Sequence, residues 1–200
     1  MSCWSAERKA GVILAAIALS EGSWLLLNVW VNPRGFFRYT GWLSADPTPT
    51  GWILALMVAA AFTAVACRLP SVRVNLIAGS WLKVLGLAVA LSAGFFEEAF
   101  FRKLLMDSLA RGGIGLTLQV LASGLAFGLV HGVWGVFRGS ISAAIGATVA
   151  TGVLGLALAV VYLASHRVLA PCIASHLIIN ALAEPGLVLA AVRGEMGSSS

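Results

Sequence analysis

The chain has 200 residues, 60% of them hydrophobic and 10% charged, with a mean hydropathy of +0.94. That length fits one domain, and that apolarity points to a membrane protein rather than a soluble core. The formal charge of +5 comes with no basic run longer than two residues, so a nucleic-acid surface is not expected and the arginines and lysines read as headgroup anchors. Cys3, Cys67 and Cys172 lie far apart, which excludes a disulfide framework and every common metal spacing.

A helix needs about 20 apolar residues to cross a bilayer. On that rule the spans are Ala10–Val31, Gly51–Leu69, Trp81–Phe101, Ile114–Val133, Ser140–Ala164 and Val168–Ala191. The expected fold is an all-α integral membrane protein, with about six transmembrane helices in a compact bundle forming one domain over residues 1–200. Arg8-Lys9 precedes the first span. No small-residue cleavage site follows at a signal-like distance, so this segment reads as a retained helix. Glu21 and Asn28 lie within it. The longest polar connection carries Asn32-Pro33-Arg34-Gly35 and Asp46-Pro47-Thr48-Pro49, both turn-forming.

Residues 71–80 read as an interfacial segment before the third span, flanked by Arg68, Arg73 and Lys83 as anchors. Most tryptophans, Trp134 among them, fall near span ends, as an aromatic belt requires. Gly124, Gly128, Gly132 and Gly135, with Gly146, Gly152 and Gly155, predict close backbone approach among the last three spans. Gly197-Ser198-Ser199-Ser200 reads as a disordered end. Basic residues, Arg138 included, divide almost evenly between the two faces, so orientation rests on the N-terminal pair alone.

The polar residues inside these spans are few. Glu97-Glu98 closes the third span, with Arg102 behind it. Two of the three histidines, His131 and His176, fall within spans. A carboxylate in hydrocarbon is costly and points to a functional site. Residues four apart on a helix share a face. Glu98 and Arg102 can therefore pair, Phe127 and His131 project together, and so do His176 and Asn180. Glu97 points about 100° away from Glu98 and is free to face a histidine of another helix. A carboxylate as general base, with an imidazole and an amide as donors to an oxyanion, supplies the parts for amide hydrolysis. An ion or proton site of a transporter is the competing reading of the same cluster.

Glu97-Glu98-x-x-x-Arg102, Phe127-x-x-x-His131 and His176-x-x-x-Asn180 resemble, in order, the three motifs of the CAAX-protease and bacteriocin-processing (CPBP, abortive-infection) family of intramembrane proteases. The resemblance covers about residues 81–190. It makes residues 81–191 the catalytic helices and leaves 1–80 as a variable N-terminal part. It implies a glutamate-type endopeptidase in which Glu97 activates water and His131 positions it. His176 and Asn180 stabilise the oxyanion, Glu98 lies close to the centre, and Arg102 and Phe127 support it. It implies a prokaryotic inner-membrane protein acting on a membrane-anchored or lipidated peptide, such as a C-terminal sorting or CAAX-like tail. No cofactor is expected. The alternative is zinc on Glu97, His131 and His176, although no His-Glu-x-x-His pair is present. A non-catalytic immunity or transporter-like protein is the alternative function. Glu21 falls outside the motifs. Glu184 reads as a solvated charge near a helix end that Pro185 terminates or kinks.

Overall fold

A computed structural model of the chain describes residues 4–43, 48–133 and 140–195. Cys3, Asp46-Pro47, Trp134, Gly135, Arg138 and the terminal Gly197–Ser200, noted in the sequence, lie outside the described residues.

Among the described residues there are no strands and nine α-helices, in the order α1 (Ala6–Val31), α2 (Pro33–Tyr39), α3 (Pro49–Ala66), α4 (Pro70–Asn75), α5 (Trp81–Glu98), α6 (Asp107–Arg111), α7 (Leu116–His131), α8 (Ile141–Ala164) and α9 (Ala170–Arg193). Among the described residues five helical segments are long and apolar enough to cross a membrane: Ala6–Val31, Pro49–Ala66, Trp81–Arg111, Ile141–Ala164 and Ala170–Arg193. The sixth expected span is the shorter apolar helix α7. Their outer faces carry exposed Leu19, Trp30, Leu56, Val84, Leu129 and Ile145, the surface a lipid environment covers.

The helix starts follow local chemistry. Ser5, Asn32, Thr48, Ser80 and Ser140 each accept a backbone N–H three residues on, satisfying donors that a helix leaves orphaned. Pro33, Pro49, Pro70 and Pro171 occupy first-turn positions, where no N–H is required.

Three details depart from the sequence reading. The third span does not stop at Phe101. It continues from α5 through a π-helical stretch, Ala99–Met106, into α6. Within residues 71–80, α4 is short, buries Ser71 and Val72, and packs beneath α9. Ser71 is fixed there by Glu195, which accepts its backbone N–H at 3.0 Å and its hydroxyl.

Lys83 is not a headgroup anchor, and its role follows from Pro185. Proline has no N–H, so the carbonyl four residues earlier, Ala181 O, lacks its helical donor. Lys83 Nζ supplies it, donating to Ala181 O at 2.8 Å and to Leu182 O at 3.1 Å. Helix α9 thus passes through Pro185 and ends at Arg193, capped by Gly194 in the left-handed conformation (φ 83°). Glu184 therefore lies within α9 rather than near its end.

The small residues act where expected at α7 and α8. A Cβ on Gly128 would stand 2.9 Å from Gly152 Cα, and one on Gly155 would stand 3.1 Å from Gly124 Cα. The backbones touch there, as small-residue stripes allow. Gly146, by contrast, faces open space.

At the opposite end from Lys83, Asp107 accepts from Arg167 Nη1 at 2.7 Å and from Tyr162 O–H at 3.0 Å. Arg167 Nη2 also donates to Gln119 Oε1 at 2.6 Å. This network ties α6, α7 and α8 to the turn that launches α9, and holds His166 and Arg167 at positive φ (51° and 62°). His166 itself is exposed.

Candidate active site

Three helices converge on Glu97. Glu98, its neighbour, is wholly buried. It pairs with Arg102 Nη1 at 3.0 Å, the i, i+4 pair the sequence anticipates. Arg102 is also wholly buried; its Nη2 donates to Gly155 O at 3.2 Å and its guanidinium lies 4.7 Å from the Phe127 ring centre. The charge of Glu98 is thus compensated inside the bundle, which a buried carboxylate requires.

The two histidines are oriented by acceptors. His131 Nδ1 donates to Phe127 O at 2.8 Å, and its ring lies 4.5 Å from the Phe127 ring at a 31° tilt. His176 Nδ1 donates to Glu98 Oε1 at 2.7 Å. A carbonyl and an ionised carboxylate can only accept, so both Nδ1 atoms carry hydrogen. Both Nε2 atoms are then left to face Glu97, the second ring nitrogen being set by the bond the first one makes.

They do face it. Glu97 Oε2 lies 3.6 Å from His176 Nε2 and 3.9 Å from His131 Nε2. These gaps are too long for direct hydrogen bonds. Glu97 Oε2 is buried and accepts no hydrogen bond from any described residue. Asn180 lies one turn beyond His176 on the same face of α9, 8% exposed, and its amide has no hydrogen-bond partner among the described residues. Phe127 stands behind the group, edge-on to Phe101 and to His176.

The structure therefore gathers Glu97, Glu98, Arg102, Phe127, His131 and His176 into one cluster, and Asn180 follows His176 by one turn of α9. Glu21 and Glu184, outside the motifs, lie within electrostatic range of Glu97 and His176. Glu184 shares a helix face with His176 through its spacing of eight residues on α9, whereas the relation of Glu21 to the site crosses from α1 to α5 and α9 and is not readable from spacing. A cavity of about 350 Å³ opens beside Trp24, Asn28 and Phe36, and the Trp24 ring lies 5.4 Å from that of Phe96, the neighbour of Glu97.

Two ligands of a tetrahedral zinc, each about 2.0–2.1 Å from the ion, stand about 3.3 Å apart. The gaps of 3.6 and 3.9 Å around Glu97 Oε2 are wider. Among the described residues no His, Cys, Asp or Glu trio is arranged to hold a metal ion.

A family model described as type II CAAX prenyl endopeptidase Rce1-like matches residues 79–182. The match spans α5 to the centre of α9 and includes every residue of the cluster. No curated protein and no solved structure matches the chain.

Proposed function

Because the chain belongs to the Rce1-like family of type II CAAX endopeptidases, we propose that it hydrolyses a peptide bond of a membrane-anchored substrate by water attack, with Glu97 as general base. The observation that carries the proposal is the convergence of Glu97 Oε2 with the Nε2 atoms of His176 and His131 at 3.6 and 3.9 Å. These gaps are too long for direct hydrogen bonds, and a water resting on Glu97 Oε2 stands within reach of both imidazoles.

In this mechanism Glu97 takes a proton from the water while the oxygen attacks the scissile carbonyl carbon. His131, its Nδ1–H on Phe127 O, accepts from that water at Nε2 and aims it. His176 acts with both nitrogens protonated, Nδ1–H on Glu98 and Nε2–H toward the oxyanion. The Asn180 amide donates the second hydrogen bond to the oxyanion. Such preorganised donors account for roughly 10²–10³ in rate each. The C–N bond then breaks, and the proton held by Glu97 passes to the leaving amine. Glu98 and Arg102 do no proton transfer; they hold the His176 ring. No step runs through a metal.

The substrate class follows from the setting. The cluster lies inside helices that cross a bilayer, so the scissile bond belongs to a segment within or beside the membrane, a lipidated or C-terminal anchoring tail. A prokaryotic cell membrane is the proposed location. The test is mass spectrometry of membranes from cells carrying the wild-type protein or Glu97→Gln. The expected result is a membrane-protein terminus present only with wild type. Identical termini in both would overturn the proposal.

A further inference from the structure

The third span changes its winding where the site begins. Glu97 and Glu98 end α5, and the next eight residues, Ala99–Met106, are π-helical. Such stretches are rare, and where they occur they frequently mark functional sites. This one carries Arg102, the buried partner of Glu98. Whatever holds it against its neighbours therefore bears on the geometry around Glu97.

One hydroxyl reaches it from α7. Ser123 is wholly buried, and its Oγ donates to Phe101 O, inside the π stretch, at 3.1 Å. A serine or threonine within a helix commonly returns its proton to a carbonyl of its own preceding turn. Ser92 in α5 and Thr151 in α8 do so, at 3.0 Å to Ala88 O and at 2.7 Å to Ala147 O. Ser123 instead crosses to another span. The Phe101 ring then packs edge-on against Phe127, one turn after Ser123.

Two paths lead from this bond to the imidazoles that face Glu97. The first runs along α7, where residues 123, 127 and 131 share a face. Phe127 O accepts from His131 Nδ1 there, at 2.8 Å. The second runs along the third span. Phe101 precedes Arg102, whose Nη1 donates to Glu98 Oε1 at 3.0 Å, and the same oxygen accepts from His176 Nδ1 at 2.7 Å. The Ser123–Phe101 bond thus joins the helix that carries one histidine to the segment that orients the other. Without it, nothing polar fixes α7 against the π stretch at this level, and a small misplacement of reacting groups is costly in rate.

We propose that Ser123 is a positioning residue for the hydrolysis: its hydroxyl locks α7 to the π stretch and so keeps the Nε2 atoms of His131 and His176 together at Glu97. The proposal rests on the peptidase reading and adds to it a residue outside the three motifs.

The test uses purified full-length protein in phosphatidylcholine vesicles, a farnesylated CAAX peptide, and Thr151→Ala as the control for loss of a hydroxyl. Ser123→Ala should lose about tenfold or more in kcat per folded molecule at unchanged KM, because the reacting groups are displaced while the substrate contacts stay. Thr151→Ala should keep the wild-type kcat. A second readout does not depend on activity. The chain has three histidines, of which His166 is exposed, so NMR of protein carrying isotope-labelled histidine resolves the bonded Nδ1–H groups of His131 and His176. Ser123→Ala should shift both signals, and Thr151→Ala neither. A Ser123→Ala protein with the wild-type kcat, or a slower one in which either signal stays in place, would overturn the assignment. If wild type does not cleave the peptide, or Glu97→Gln cleaves it as wild type does, the peptidase reading itself fails and the assignment falls with it.

Discussion

Glu98 Oε1 accepts two hydrogen bonds at once, from His176 Nδ1 at 2.7 Å and from Arg102 Nη1 at 3.0 Å. One oxygen thereby joins an ion pair internal to the third span to the histidine of the last helix. Glu98→Gln keeps the shape and removes the charge. It should lower the cleavage rate about 10–100-fold, because His176 loses its charged acceptor, and it should also lower the unfolding midpoint, because the buried Arg102 loses its counter-charge. Comparison of kcat with thermal unfolding in detergent separates the two effects.

Arg102→Ala should act differently. The guanidinium is wholly buried and its partner Glu98 is too. Removing one member of such a pair strands the other, at a cost of about 3–5 kcal/mol. The measurement is the unfolding midpoint of the purified protein, expected to fall by several degrees. An unchanged midpoint would mean that water reaches Glu98.

The crossing of α7 and α8 is a second place where stability and site geometry meet. Gly155 touches Gly124 and Phe127, and its carbonyl receives Arg102. Gly155→Val should cost about 1–3 kcal/mol as an overpacked contact. It should also lower activity beyond that, because Phe127 carries the carbonyl that orients His131. Gly146→Val, facing open space on the same helix, should be close to neutral in both assays.

Much of this arrangement is legible in the sequence because it is local. Glu98 with Arg102, Phe127 with His131, and His176 with Asn180 are all i, i+4 pairs, and the period of a helix fixes their common face. The all-α fold and its spans follow from hydropathy. What escapes a linear reading depends on a neighbouring helix or on a break in the regular period. The π stretch after Glu98 carries the third span on to Arg111, although nothing in the apolar pattern marks it. Lys83 reads as an anchor until Pro185 is seen to free a carbonyl beside it. Glu184 reads as a helix-end charge for the same reason, since that lysine supplies the donor that Pro185 withholds and the helix runs on. Glu21 is visible as an intramembrane acid, but its proximity to Glu184 exists only in the packed bundle.

A metal-independent mechanism makes its own forecast. Dialysis of the purified protein against EDTA or 1,10-phenanthroline should leave the cleavage rate unchanged, and elemental analysis should give far less than one zinc per chain. Loss of activity on chelation, restored by added zinc, would reassign Glu97, His131 and His176 as ligands.

The most direct measurement is the single-turnover cleavage rate of a membrane-anchored peptide by purified wild-type protein and by Glu97→Gln, with folding checked by circular dichroism and thermal unfolding. General-base catalysis is worth roughly 10²–10⁴-fold. Glu97→Gln should therefore lose at least about 10²-fold in rate while unfolding at the wild-type temperature. A folded Glu97→Gln protein that cuts at the wild-type rate would contradict the account.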